Sequence, residues 1–306
     1  MAAALRELVQ SGQLDLPLPG SGATGERFSR LAAVGRRDPV LGRLAEAHTD
    51  AVAILAELGG PVVSREQVWG VWAAEPPRPV LTAERTGSGW RLRGRKAWCS
   101  GAHSSTHALV TARVGTDRPL FAVDLSKPGV RPVAGTWAAV GMAASDSGAV
   151  EFEDVPAEPV GAVDAYLSRP GFWHGAIGVA AAWYGGACGV ADALAARRDK
   201  ADEHQLAHLG AVTALLAGAR WSLQAAATEI DDDPTAGTRA TALSVRAIVE
   251  DAATATLYRV GRALGAGPLC SDAVHAARVA DLTVYLRQSH AEHDLVALAQ
   301  DGGAGW

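Results

Sequence analysis

Leu92-Arg93-Gly94-Arg95-Lys96-Ala97-Trp98-Cys99-Ser100-Gly101-Ala102, followed by Ala108-Leu109-Val110-Thr111-Ala112, is the stretch on which the fold turns. Side chains alternate in direction along a strand, so a strand through this run projects Trp98 and Ser100 from one face. An indole beside a hydroxyl can grip a flat, heteroatom-rich ring: the aromatic packs on the ring, and the serine donates to or accepts from a ring heteroatom. The same residues also suit an ordinary strand carrying a half-buried tryptophan, and taken alone they leave both readings open.

The surrounding chain gives the run its context. Leu120-Phe121-Ala122-Val123-Asp124 precedes Pro128-Gly129-Val130; then come Val140-Gly141-Met142-Ala143-Ala144-Ser145-Asp146-Ser147 and Val150-Glu151-Phe152-Glu153-Asp154-Val155. In this order these stretches resemble the middle β-domain of the acyl-CoA dehydrogenase family. The Trp98 run resembles that family's flavin strand, L-x-G-x-K-x-W followed by a small or apolar residue and Ser or Thr. The resemblance implies FAD as cofactor, with Trp98 beside the isoalloxazine and the Ser100 hydroxyl near its N5.

The chain has 306 residues, 48% of them hydrophobic, enough for a sizeable core in one large or several small packed units. Its 28 basic and 33 acidic residues give a net charge of −5 without a basic run, which argues against nucleic acid or an anionic membrane as partner. Cys99, Cys188 and Cys270 are odd in number and widely spaced. They suit neither a disulfide framework nor a metal-ligand spacing, but do suit a reducing cytosol. Arg6 and Glu7 interrupt the only short apolar run at the start, so no secretory core is expected and the predicted location is cytoplasmic. The uncharged run Gly175 to Ala191 is rich in Gly and Ala and reads as a buried helix, too short for a membrane span.

Periodicity divides the chain in three. Residues 1–60 are helical in pattern apart from the Pro/Gly loop at 14–22, with a break at Asp38-Pro39 and a cap at Gly59-Gly60. They resemble a shortened form of the family's N-terminal helical domain, including its segment around His48. Residues 61–160 alternate in short runs punctuated by Gly, Pro and Asp, the signature of a sheet or small barrel. Residues 161–306 return to helical period: a Gly/Ala-rich helix after Phe172-Trp173-His174, long helices over about 204–230 and 238–264, and a last one through Arg278 to Leu286. These resemble the family's C-terminal four-helix bundle, with Gly265-Ala266-Gly267 at its Gly-Gly-x-Gly turn and Arg278 to Asp281 near its Arg-Asp pair. The expected fold class is therefore α+β and acyl-CoA dehydrogenase-like: N-terminal helical domain, middle β-barrel or sheet domain that binds flavin, C-terminal bundle. The resemblance further implies a homodimer or homotetramer through the C-terminal helices, an acyl-CoA or related small-molecule substrate, and an electron-transfer flavoprotein as a partner.

Several positions depart from the family pattern. Val71-Trp72-Ala73-Ala74-Glu75-Pro76 matches the family's aromatic-x-x-Thr-Glu-Pro strand, whose backbone amides face the flavin pyrimidine. The resemblance therefore assigns Val71 and Ala74 to the flavin, with Ala74 in place of Thr. Pro77-Arg78-Pro79 stands where the family has the Gly-Ala-Gly-Ser-Asp loop that touches the CoA ester. Dehydrogenation beside a thioester needs a carboxylate base at the α-carbon. Counting on from Asp281 places the family's glutamate at position 289, which holds Ser289. No catalytic residue is assigned; Gln288, His290 and His174 are weak substitutes for that base.

The pairs His103/His107 and His204/His208 have the spacing of one helical turn but no third ligand, so solvated side chains are expected and no metal. The Asp231 to Asp233 cluster reads as a loop with capping carboxylates. Three functions follow. The first is an FAD-dependent oxidoreductase of the acyl-CoA dehydrogenase type, acting on a CH–CH bond of an acyl thioester or related substrate. The second is a flavin-dependent monooxygenase on the same fold, for which no α-proton base is needed. The third is a non-catalytic acyl-CoA dehydrogenase-like subunit of a hetero-oligomer.

Overall fold

A computed structural model of the chain describes Met1–Gly87 and Gly89–Asp301. Position 88 and the last five residues of the predicted 161–306 bundle lie outside the described residues. The order of elements is α1 (Ala2–Gln10), α2 (Thr24–Arg37), α3 (Pro39–Leu58), β1 (Trp69–Trp72), β2 (Leu81–Thr86), β3 (Gly89–Lys96), β4 (His107–Thr111), β5 (Leu120–Asp124), β6 (Val130–Val133), β7 (Ala149–Pro159), α4 (Ala165–Ser168), α5 (Gly171–Ala195), α6 (Glu203–Asp232), α7 (Arg239–Leu264), α8 (Gly267–Ser271), α9 (Ala273–Tyr285) and α10 (Glu292–Asp301). Helix, strand and helix thus succeed one another as the change of period predicts.

The chain divides into two compact units. One joins Met1–Leu16, Leu44–Ala138 and Ala143–Phe172; the other joins Pro17–Arg43, Ala139–Met142 and the residues from Trp173 on. The N-terminal helices are shared: α1 and most of α3 lie in the first unit and α2 in the second.

The first unit is built on a sheet ordered β1-β4-β5-β7-β3-β2, with β6 paired to β7. The sequence explains why β4 is an interior strand, flanked by β1 and β5. Ala108, Leu109 and Val110 are all apolar, and all are fully buried, because both faces of the strand are covered. Leu109 faces a core with Ala51, Ile54 and Leu55 of α3, together with Trp69 and Leu120. A second core collects Trp72, Leu92, Cys99, Val110, Phe121, Val150, Phe152 and Val155. The β3–β7 ladder shifts register between Leu92 and Gly94. Gly94 has φ 115°, and a Cβ there would overlap the Val80 carbonyl oxygen, so the bulge needs glycine.

The second unit is helical. Within it, Gly185 of α5 lies so close to α2 that a Cβ would overlap the Ala32 carbonyl oxygen, and Gly189 stands likewise against Arg36. This is the close approach that the small residues of the Gly/Ala-rich run predict. Gly171–Lys200 is long and apolar enough to cross a membrane by composition, yet 72% of its most apolar window is buried inside the protein, as in a core helix. Asp231, in the last turn of α6, accepts from the backbone N–H of Gly22 (3.0 Å) and Thr24 (2.9 Å) and so caps the start of α2.

Candidate functional site

The predicted site residues divide between two segments of the first unit, the end of β1 and the turn after β3. β1 is an edge strand whose strand partner is β4. The Val68 carbonyl accepts from the Thr106 and His107 N–H on the β4 side, and its own N–H donates to the Thr106 hydroxyl, whereas the Trp69 N–H donates to His48 Nδ1 at 3.2 Å on the other side. Backbone groups of alternate residues point the same way, so the Val71 N–H shares the open edge with that of Trp69. Val71 and Ala74 are both half-buried.

Trp98 and Ser100 differ from the expectation of one strand face. β3 ends at Lys96, and Trp98 takes a left-handed conformation with φ 55°. The chain leaves the strand because the segment after it is tied to a distant loop. Cys99 N–H donates to the Gly148 carbonyl (2.8 Å), Gly101 N–H to that of Ser145 (2.8 Å) and Ala102 N–H to that of Asp146 (3.2 Å). Turned this way, the Trp98 side chain is 56% exposed while Ser100 is only 5% exposed. A positive φ at a bulky residue and a large indole left in solvent are both uncommon, and they coincide at Trp98.

Two contacts bring the segments together. The buried Trp72 indole N–H donates to the Ser100 carbonyl at 3.0 Å. Lys96, at the end of β3, is buried and its ammonium group pairs with Glu75, next to Ala74, while donating to the Thr111 carbonyl and hydroxyl at 2.8 Å each. Burial pulls the Lys96 pKa down, and the contact with Glu75 opposes that shift. Glu75, Thr111 and Lys96 thus fix the backbone that follows β1, so the amides of 71–74 and the indole of 98 sit on one braced frame. Cys99 is buried behind the turn, and burial pushes its thiol pKa up, away from the thiolate form.

Sequence reasoning passed over Trp72, Glu75 and Ser147 as members of this site. No local signal links Trp72 and Ser147 to Ser100, or Glu75 to Lys96, because each acts from a segment that only the fold brings close.

The histidine pairs do not converge on a metal. His103 Nδ1 and its backbone N–H both meet Asp146 Oδ2 at 2.8 Å, whereas His107 stacks on Trp69 with ring centres 4.8 Å apart and bonds Thr106 at 2.9 Å. Among the described residues no three His, Cys, Asp or Glu side chains are grouped as a metal site.

In the second unit, Ser289 lies at the bend before α10, where its hydroxyl accepts from the Ala291 N–H at 3.1 Å. His174 is buried on α5. Arg278 and Asp281 do not pair with each other. Arg278 reaches the Arg37 carbonyl at 3.2 Å, and Asp281 accepts from the Met142 N–H at 2.5 Å, with burial raising its pKa.

Comparison with known proteins bears on the fold that carries these residues. Residues 75–155 match the family model for the acyl-CoA dehydrogenase middle domain. The dibenzothiophene monooxygenase of Rhodococcus erythropolis is 38% identical over 88 residues; that match takes in 26% of this chain and spans only 21% of the relative. Among solved structures, TdsC from Paenibacillus sp. A11-2 in complex with FMN and indole superimposes with a TM-score of 0.81 at 19% identity, covering 98% of this chain and 94% of that one. A steroid acyl-CoA dehydrogenase variant superimposes with a TM-score of 0.75 at 21% identity, covering 98% and 88%. The chain therefore has the acyl-CoA dehydrogenase-like α+β fold along its length and matches that family's middle-domain model at residues 75–155.

Proposed function

We propose that the chain is a flavin-dependent monooxygenase of the acyl-CoA dehydrogenase type, acting on a small molecule, and that dehydrogenation of an acyl thioester is the second reading. The observation that carries the proposal is Ser289: where the family places its carboxylate base, this chain has a hydroxyl that caps the turn into α10. A serine without its own base does not remove a weakly acidic C–H proton, whereas oxygen insertion requires no such step. The similarity to a dibenzothiophene monooxygenase and to TdsC supports the same branch.

The residues present fit a flavin ring. Trp98 offers an exposed indole held in place by its neighbours' backbone bonds, and the open edge of β1 offers the Val71 N–H beside the small Ala74. These groups would hold the isoalloxazine between stacking and main-chain donors, with Ser100 near its redox-active nitrogen. Bound in its reduced form, a flavin supplies the electrons that activate dioxygen. The ring is common to FMN and FAD, so either suits Val71, Ala74, Trp98 and Ser100; FMN is the flavin of the TdsC complex, and FAD that of the resemblance. Electrons come from free reduced flavin or from a flavoprotein partner. The outward sides of α6 and α7, with Trp221 and Tyr258 each 63% exposed, would carry contacts between copies of the chain.

The test is the visible spectrum of the protein purified and then mixed with FMN or FAD. Flavin bands perturbed by binding are expected, and Trp98→Ala should weaken that binding roughly tenfold, the loss of about 1.4 kcal/mol of stacking. Oxygen-dependent product formation with reduced flavin supports the monooxygenase. Anaerobic bleaching by acyl-CoA thioesters would favour the dehydrogenase instead, and no binding of either flavin would leave only a non-catalytic subunit.

A further inference from the structure

Three buried hydroxyls lie in series behind the Trp98 turn. Ser100 Oγ is 2.8 Å from Ser147 Oγ, and Ser147 Oγ is 2.8 Å from Ser145 Oγ. The three residues are 5%, 6% and 0% exposed, so the chain is shielded from water. Its spacing is fixed from outside. The Cys99, Gly101 and Ala102 amides bond to the carbonyls of Gly148, Ser145 and Asp146, Trp72 holds the Ser100 carbonyl, and His103 clamps Asp146 through both its amide and its ring.

We propose that Ser145 and Ser147 act with Ser100 as a hydroxyl relay that reverses direction with the redox state of a bound flavin, which makes Ser147 a positioning residue of the site. The inference rests on the flavin reading above. A hydroxyl carries one proton and two acceptor lone pairs. Ser147 stands between two oxygens and donates to only one of them, so the series has two self-consistent arrangements. If the donors run from Ser145 to Ser147 to Ser100, the Ser100 proton is left to donate to the ring. If they run from Ser100 to Ser147 to Ser145, Ser100 presents a lone pair and accepts. An oxidised flavin has an unprotonated N5 that accepts, and a reduced one has an N5–H that donates. The relay matches either state by rotating hydroxyls, without moving the backbone.

Removing the middle hydroxyl is asymmetric. Against oxidised flavin, Ser100 still donates outward and loses only a donor to one of its lone pairs, which a buried oxygen tolerates. Against reduced flavin, Ser100 must accept from the ring while its own proton has lost its acceptor, and a buried unsatisfied donor is the costlier fault.

The experiment measures the affinity of the purified protein for oxidised and for dithionite-reduced FMN and FAD, and the midpoint potential of the bound flavin. Ser147→Ala should weaken reduced flavin relative to oxidised by roughly tenfold, a shift of about −30 mV for a two-electron couple. Ser145→Ala should shift the ratio the same way by less, and Ser147→Thr, which keeps the hydroxyl, should restore it. In a Ser100→Ala background, Ser147→Ala should change nothing further. An unchanged ratio in Ser147→Ala, or an equal shift with and without the Ser100 hydroxyl, overturns the relay while leaving flavin binding intact. Failure of the unsubstituted protein to bind flavin in either state overturns the flavin reading itself, and the relay with it.

Discussion

At the scale of single residues, His48 shows how burial decides the state of a side chain. It lies on α3, and its Nδ1 accepts the Trp69 N–H, a role open only to a neutral imidazole. Burial lowers its pKa from 6.5 to about 4, against a small opposing pull from Asp15. A folded-state pKa below the unfolded one means that the unfolded chain takes up the proton first. His48 therefore contributes its full stability above pH 6.5 and loses it progressively as the pH falls toward 4. The loss expected over that window is about 3 kcal/mol. Denaturant unfolding at pH 8, 6 and 4.5 would measure it, and His48→Asn, which keeps an acceptor but does not titrate, should flatten the slope across that range. The same logic of burial governs Trp98 and Ser100. Residue types were readable as a ring-binding pair, but alternation along a strand misplaced them, since amides bonded to residues 145, 146 and 148 pull the chain out of β3.

At the scale of elements, the helices and strands follow the sequence closely. Compact α5 packing needs glycine where it meets α2, and the small-residue run foretold that without naming the partner helix. Gly185→Ala forces a methyl into the Ala32 carbonyl and should destabilise the protein by about 1–3 kcal/mol, read as a fall in denaturation midpoint. Gly218→Ala on α6, where a Cβ meets nothing within 4 Å, should instead stabilise by about 0.5–1 kcal/mol. The pair of variants separates steric packing from helix propensity. β1 makes the complementary point. Its aromatic residues announced a strand, but its place at the sheet edge, which frees the Val71 N–H, comes from pairing with β4, 38 residues further on in register.

At the scale of the whole molecule, a ligand that binds only the folded chain raises its stability by mass action. Free FMN or FAD at a hundredfold excess over its dissociation constant should add about 2.7 kcal/mol, seen as a melting temperature that climbs with flavin concentration. Riboflavin, which keeps the ring and lacks the phosphate, would show how much of that gain the ring supplies. The fold class was legible before any coordinates, because period and ordered strand motifs are properties of neighbouring residues, and so was the identity of Trp98 and Ser100 as candidate ring contacts. What only tertiary structure decided is the state of the side chains around them: an indole left in solvent, a serine buried in a series of three hydroxyls, and a lysine held against Glu75. The physical reason is that hydrogen bonds are short and directional. They are set by which segments the fold brings within about 3 Å, and local sequence carries no record of that distance.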